Sequence, residues 1–230
     1  MLPADLRSAE AEAIAAVTAA LADDPAGRWT LELRFEGLRL LPVVLRLCRQ
    51  LREQGQALGL RCSDMGATAL ARRDAPDLAD CIASFGDEHR QQQQQQCGEG
   101  LLVLLGAAPA DVELVEAISD GHRGALLLVN GQLEDAAIGI GSVARGRRRG
   151  FLARWQAAYA LIPSAASALR RAYPGPWELY RLDADGFRAA ASFEQRPDAE
   201  QQADALATPA ANPLAAGLGA VDRLARSLEF

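Results

Sequence analysis

Apolar residues recur at helical spacing over residues 4–22, where Leu6, Ala13, Ile14, Val17 and Leu21 oppose Arg7, Glu10 and Glu12. This pattern predicts an amphipathic helix, stopped by the run Asp23-Asp24-Pro25-Ala26-Gly27. From Trp29 to Phe35 the period changes to two. Leu31, Leu33 and Phe35 alternate with Glu32 and Arg34, as in a strand with one solvated face. Pro42 then opens a second helix with the stripe Val44, Leu47, Cys48 and Leu51, and Gly55 closes it. A short strand is predicted over residues 58–62. Ser63 or Asp64 caps a third helix whose apolar residues are Met65, Ala69 and Leu70, and another strand follows at 81–85.

Residues 86–99 break the pattern. Six consecutive glutamines, Gln91–Gln96, sit among charged residues and glycines, which predicts a low-complexity surface loop. Beyond it the pattern is cleaner. Leu101–Leu105 and Ala125–Val129 are unbroken apolar runs, as expected of strands covered on both faces, and residues 110–118 between them are helical. Strand, helix, strand at these lengths is a βαβ unit and predicts a parallel sheet. From about residue 151 aromatics appear, then short alternating runs at 168–173, 177–182 and 187–193 with Asp185-Gly186 as a hairpin turn. The predicted fold is therefore α/β: a mainly parallel, Rossmann-like sheet with flanking helices, extended by a C-terminal antiparallel meander. Residues 1–194 are expected to form a single domain. Residues 195–230 are expected to be a flexible linker and an amphipathic helix carrying Leu214, Leu218, Val221, Leu224 and Leu228.

Composition narrows the chemistry. The 230 residues are 50% hydrophobic and only 5% aromatic, so the core must be built from aliphatic side chains. The net charge of -6 argues against general nucleic-acid binding, which rests on neutralising phosphates. All 24 basic residues are arginines, so lysine Schiff-base and P-loop chemistry are excluded. Four cysteines that form no C-x-x-C pair, and only two histidines, argue against a zinc site, and no cofactor or metal is expected. The first residues show no signal-peptide pattern and no apolar run reaches spanning length. The expected location is the cytoplasm, with peripheral membrane contact as the further option.

Three segments could carry function. Asn130, Glu134 and Asp135 follow a predicted parallel strand, at the strand end where open α/β sheets bind ligands, and Asp64 stands at the same end. The competing reading is a polar turn. Gly139 and Gly141 lead into Arg145, Arg147, Arg148 and Arg149, a combination suited to an anion or an acidic surface; the competing reading is a solvated basic loop. The third is Tyr173-Pro174-Gly175-Pro176-Trp177. Proline followed by glycine predicts a type II turn with positive φ at Gly175, placing Tyr173 and Trp177 beside Arg170 or Arg171. This reads either as an aromatic and arginine recognition patch or as edge packing. No catalytic motif is present.

The segments Leu2-Pro3, Gly66–Asp74, Leu101–Leu105, Asn130 with Leu133–Asp135, and above all Leu169–Trp177 resemble a domain-of-unknown-function family of cyanobacteria and plastids. That family includes Low Photosystem II Accumulation 3-like proteins and the domain fused to a plastid adenylate kinase. The resemblance covers roughly residues 2–193, a span ordinary for a domain. It implies a phototroph and, for some plant members, a role in photosystem assembly at the thylakoid membrane. It supplies no catalytic residues. The expected function is a non-catalytic accessory or assembly factor that binds a protein partner, such as a photosystem subunit or its assembly machinery. The alternative is a domain that binds a small ligand, nucleotide or phosphate, with enzymatic activity as an option.

Overall fold

The computed structural model describes residues 1–94, 98–133 and 150–207. The elements run α1 (Leu6–Asp23), β1 (Arg28–Leu33), α2 (Leu40–Glu53), β2 (Leu58–Cys62), α3 (Met65–Asp74), β3 (Ile82–Ser84), α4 (Phe85–Gln93), β4 (Leu101–Leu105), α5 (Val112–Gly121) and β5 (Leu126–Val129). There follow β6 (Trp155–Pro163), β7 (Ser167–Ala172), β8 (Trp177–Asp183), β9 (Gly186–Phe193) and α6 (Ala199–Ala207). The fold is α/β, with parallel strands, an antiparallel meander and flanking helices, as the hydrophobic pattern predicts. The chain divides into two compact units. One comprises Ala20–Leu31 and Leu40–Gln156; the other comprises Met1–Ala19, Glu32–Arg39 and the described residues from Ala157 onward.

In the parallel unit the strands are ordered β3-β2-β4-β5-β1, all parallel. The crossovers from β1 to β2 and from β2 to β3 run toward one edge, and those from β3 to β4 and from β4 to β5 run toward the other. Right-handed crossovers therefore put α2 and α3 on one face and α4 and α5 on the opposite face. The central strands β4 and β5 are buried throughout, which explains their unbroken leucine and valine runs. On one face Leu102, Leu104, Leu126 and Leu128 pack with Phe85, Val115 and Ile118. Each such side chain contributes on the order of 2 kcal/mol by leaving water. On α2, Val43, Val44, Leu47, Cys48 and Leu51 form the buried stripe, close to the predicted one.

The meander unit pairs β6 with β7, β7 with β8 and β8 with β9, all antiparallel, with an irregularity at Leu179/Tyr180. Its alternation divides the side chains cleanly. Ala160, Leu169, Trp177 and Leu179 form a buried cluster, against which Ala205 and Leu206 of α6 pack. Gly186 opens β9 at a φ of 128°, which a side chain would strain.

Five local expectations are corrected. Residues 86–93 are not a loop. Ser84 Oγ accepts from the Asp87 amide at 3.1 Å and Asp87 Oδ2 accepts from the Ser84 amide at 3.2 Å, a reciprocal capping box that starts α4. Gln91–Gln93 continue that helix because glutamine is a competent helix former. Likewise, residues 199–207 are helical rather than a linker. Asp198 Oδ1 accepts from the Gln201 amide at 2.8 Å, and the Gln201 side chain accepts from the Asp198 amide at 3.0 Å.

Glu32 is buried rather than solvated, because Arg34 and Arg196 both reach its carboxylate. On α3 the polarity is inverted: Thr68 and Ala71 face inward while Met65 is 63% and Leu70 40% exposed. Thr68 satisfies its hydroxyl by donating to the Asp64 carbonyl at 2.7 Å, so the small residue fits the buried side without an orphaned polar atom. The proline turn is also not type II. The Tyr173–Pro174 peptide is cis, φ of Gly175 is not positive, and the Gly175 amide donates to the Ala172 carbonyl at 2.8 Å. With the cis proline third in the four-residue turn Ala172–Gly175, it is type VI. Gly175 also eases a close approach: a Cβ there would lie 3.0 Å from the Ala172 carbonyl oxygen, a tight contact.

Candidate functional site

Two regions bring together the predicted residues that lie within the described chain. The first is the carboxyl end of the parallel strands. The connections leaving β2 and β4 run in opposite directions, so the crevice between these strand ends is the topological switch point of the sheet. Ser63 follows β2 and Gly106 follows β4. Gly106 has a φ of 74°, and a Cβ on it would sit 3.7 Å from Ser63 Oγ, so the two residues face each other across the crevice. Asp64 lies beside them as the N-cap of α3, where its Oδ1 accepts from the Ala67 amide at 2.8 Å. The carboxylate occupies the position at which an anion would meet the helix dipole. Asn130, at the end of β5, takes a φ of 48°, and its amide donates to the Leu31 carbonyl at 2.9 Å. One strand separates it from β2, so its backbone stands about 10 Å from that of Asp64. Glu134, Asp135, Gly139, Gly141, Arg145, Arg147, Arg148 and Arg149 lie outside the described residues, as does the expected C-terminal helix.

The second region is the meander around Tyr173 and Trp177. Pairing in register puts Arg171 opposite Trp177 and Arg170 opposite Glu178, on the two different faces that strand alternation predicts. Trp177 is only 4% exposed. Two guanidiniums lie over its ring, with Arg171 5.8 Å and Arg196 5.4 Å from the centroid. Arg171 also donates through Nε to the Ala157 carbonyl at 2.9 Å, and Arg196 donates through Nη1 to the buried Glu32 at 2.8 Å. Tyr173 is half-buried, and its amide donates to the Ala158 carbonyl at 2.9 Å.

On the other face Arg170 bridges two carboxylates. Its Nε and Nη2 donate to Glu12 Oε2 at 3.2 and 3.1 Å, and Nη1 donates to Glu178 Oε2. The Tyr159 hydroxyl donates to the same Glu12 oxygen at 3.3 Å, and the Tyr180 hydroxyl to Glu178 at 3.0 Å. Burial, reinforced by the neighbouring carboxylates, raises both phenols well above their ordinary range, so they remain protonated donors at neutral pH. The sequence showed Arg170 as one of a pair; nothing local could reveal that Glu12, 158 positions away, completes its site.

The remaining reactive groups are held in the parallel unit. Burial pushes the Cys48 thiol up to about 12 and raises Cys62 and Cys81, which makes all three poor nucleophiles. Arg61 Nε donates to Glu88 Oε2 at 2.7 Å in a buried ion pair, and Gln92 Nε2 donates to Glu88 Oε1 at 2.9 Å. His122 is buried, and burial lowers its pKa. Among the described residues no group of His, Cys, Asp and Glu is arranged to hold a metal ion, and no helix is long and apolar enough to cross a membrane.

A family model described as a domain of unknown function (DUF1995) matches residues 3–204. No curated protein and no solved structure matches the chain.

Proposed function

The chain belongs to the DUF1995 domain family, and we propose that it is a non-catalytic accessory factor that acts by binding a protein partner. The observation that carries this reading is the inverted polarity of α3. Met65 and Leu70, its two largest apolar side chains, point to solvent, while Thr68 and Ala71 face the core. A helix normally buries its large apolar residues. Exposed methionine and leucine beside arginine suit a protein surface that is apolar at its centre and acidic at its rim. Arg73 lies one turn beyond Leu70 and forms an exposed pair with Asp74 at 2.9 Å, which is weak enough to exchange for a partner's carboxylate.

Further support comes from the ionisable groups described above, whose bonds are to structural partners within each unit. The family resemblance noted from the sequence, to Low Photosystem II Accumulation 3-like proteins and the domain fused to a plastid adenylate kinase, makes a photosystem subunit or its assembly machinery the proposed partner. Thylakoid contact would then be peripheral. The basic cluster Arg145–Arg149 is the second proposed contact element, on sequence grounds alone.

The test is affinity capture from solubilised thylakoids with the wild-type chain and with Met65→Glu/Leu70→Glu. The wild type is expected to recover a photosystem assembly component that the variant loses by at least tenfold, with both proteins showing the same thermal midpoint. Equal recovery by both, or none above background, would overturn the reading.

A further inference from the structure

We propose that the docking face on α3, the reading on which the inference rests, is taken by a second copy of the chain, packed α3 against α3 in antiparallel about a two-fold axis. Self-association then covers the face until another partner competes for it. The surface that Met65, Leu70 and Arg73 suit is apolar at its centre and acidic at its rim. α3 itself carries that surface, because Asp64, an exposed carboxylate, stands at the other end of the same helix.

α3 lies over β2 and β3, the pair at one edge of the parallel strands. Thr68 and Ala71 are its buried residues, so the line Gly66, Ala69 and Arg73 on the opposite side points away from the sheet. All three are exposed. Met65 flanks this line on one side and Leu70 on the other, and both are exposed. Gly66 and Ala69 have too little side chain to hold a neighbouring helix off, so the large apolar groups beside them can reach it.

The charges on the face differ from end to end. Asp64 stands at the amino end, where its Oδ1 accepts from the Ala67 amide at 2.8 Å. Arg72 and Arg73 stand at the carboxyl end, both exposed. Arg72 donates through Nε and Nη2 to a neutral group, the Ile82 carbonyl, at 3.0 and 2.7 Å, while Arg73 shares Asp74. Asp77 and Asp80, beyond the helix, are matched by Arg49 and Arg52. A two-fold axis beside Ala69 turns this polarity into a fit. It sets Leu70 against Leu70 of the second copy and lays Met65 along the aliphatic stems of the second copy's Arg72 and Arg73. The same axis brings those guanidiniums to Asp64, and repeats every contact in reverse, as an isologous interface requires. The two helix dipoles also run antiparallel. One helix pair is a small interface, so the dimer is weak and a partner can displace it.

The experiment is sedimentation equilibrium of the pure full chain up to about 1 mM, with amide NMR over the same dilution series. A dimer with a Kd of about 0.1 mM is expected, with concentration-dependent shifts centred on residues 64–73. Met65→Glu/Leu70→Glu is expected to weaken it at least tenfold with an unchanged thermal midpoint, since both side chains are exposed. Arg73→Glu sets like charges together and is expected to weaken it about tenfold. Arg73→Glu/Asp64→Asn keeps the N-cap, removes the repulsion and is expected to return to within about threefold of wild type. The proposal is overturned if the chain is monomeric at about 1 mM, if the shifts centre elsewhere, or if the double variant dimerises no better than Arg73→Glu. Dimerisation needs no thylakoid component, so the two readings fail separately. A monomer whose thylakoid capture depends on Met65 and Leu70 assigns the face to another protein and overturns this proposal alone. A dimer that captures nothing supports it and overturns only the accessory reading.

Discussion

Arg170→Met is the most informative perturbation of the meander unit. Arg170 is 16% exposed at its side chain and sits between Glu12 and Glu178, whose side chains are 32% and 30% exposed. Methionine keeps most of the aliphatic stem and fills the same space, so the change removes charge and hydrogen bonds more than packing. Breaking a fully buried ion pair by deleting one partner destabilises by about 3–5 kcal/mol. Here both carboxylates keep about a third of their exposure and each retains a tyrosine hydroxyl donor, so the expected loss is about 2–3 kcal/mol. In a chain of this length that is a fall of about 5–10 °C in thermal midpoint. The assay is urea denaturation followed by tryptophan fluorescence, run as double-mutant cycles with Glu12→Gln and Glu178→Gln. The triple variant removes both orphaned charges and is expected to return to within about 1 kcal/mol of wild type, because replacing a whole ion-pair set is far gentler than halving it. A loss below about 0.5 kcal/mol for Arg170→Met, or a triple variant no more stable than the single one, would refute the reasoning.

Two further outcomes are expected. His122 has a lowered pKa, from burial first and the Arg28 and Arg61 charges after it, against the Gly100 hydrogen bond and Glu88, which favour the proton. The unfolded chain therefore binds the proton first as pH falls, and stability drops from about pH 6.5 downward until the folded histidine also titrates. Denaturation midpoints between pH 8 and 5 should show this slope, and His122→Gln should flatten it. Ser84→Ala removes the reciprocal cap of α4 and should cost about 1 kcal/mol, with faster amide hydrogen exchange concentrated in residues 85–93.

Much of the fold was legible because it depends on local periodicity. The βαβ run from Leu101 to Val129 could be read directly, since strands covered on both faces must be apolar throughout. The alternation from Trp177 to Phe193, with Asp185-Gly186 between, fixed the meander for the same reason. Capping was legible in principle and was missed twice: Ser84-x-x-Asp87 and Asp198-x-x-Gln201 each start a helix within a segment whose polar composition suggests a loop. Of the candidate sites, the chain order alone placed Asp64 and Asn130 at one end of the sheet and Arg170 and Arg171 on opposite faces.

What sequence by itself determined, then, was most of the elements and which residues of a strand share a face, because both follow from a backbone period of 3.6 or 2. It could not determine which charges meet. Glu12 joins Arg170 across 158 residues, Glu88 joins Arg61 across 27, and Arg196 reaches Glu32 across 164. Nor could it show that Met65 and Leu70 face solvent, or that glycine at 59 makes room for a guanidinium. Those outcomes were decided by tertiary packing, which alone sets the distance between groups far apart in the chain and so decides whether a charge is buried, paired or left to meet a partner.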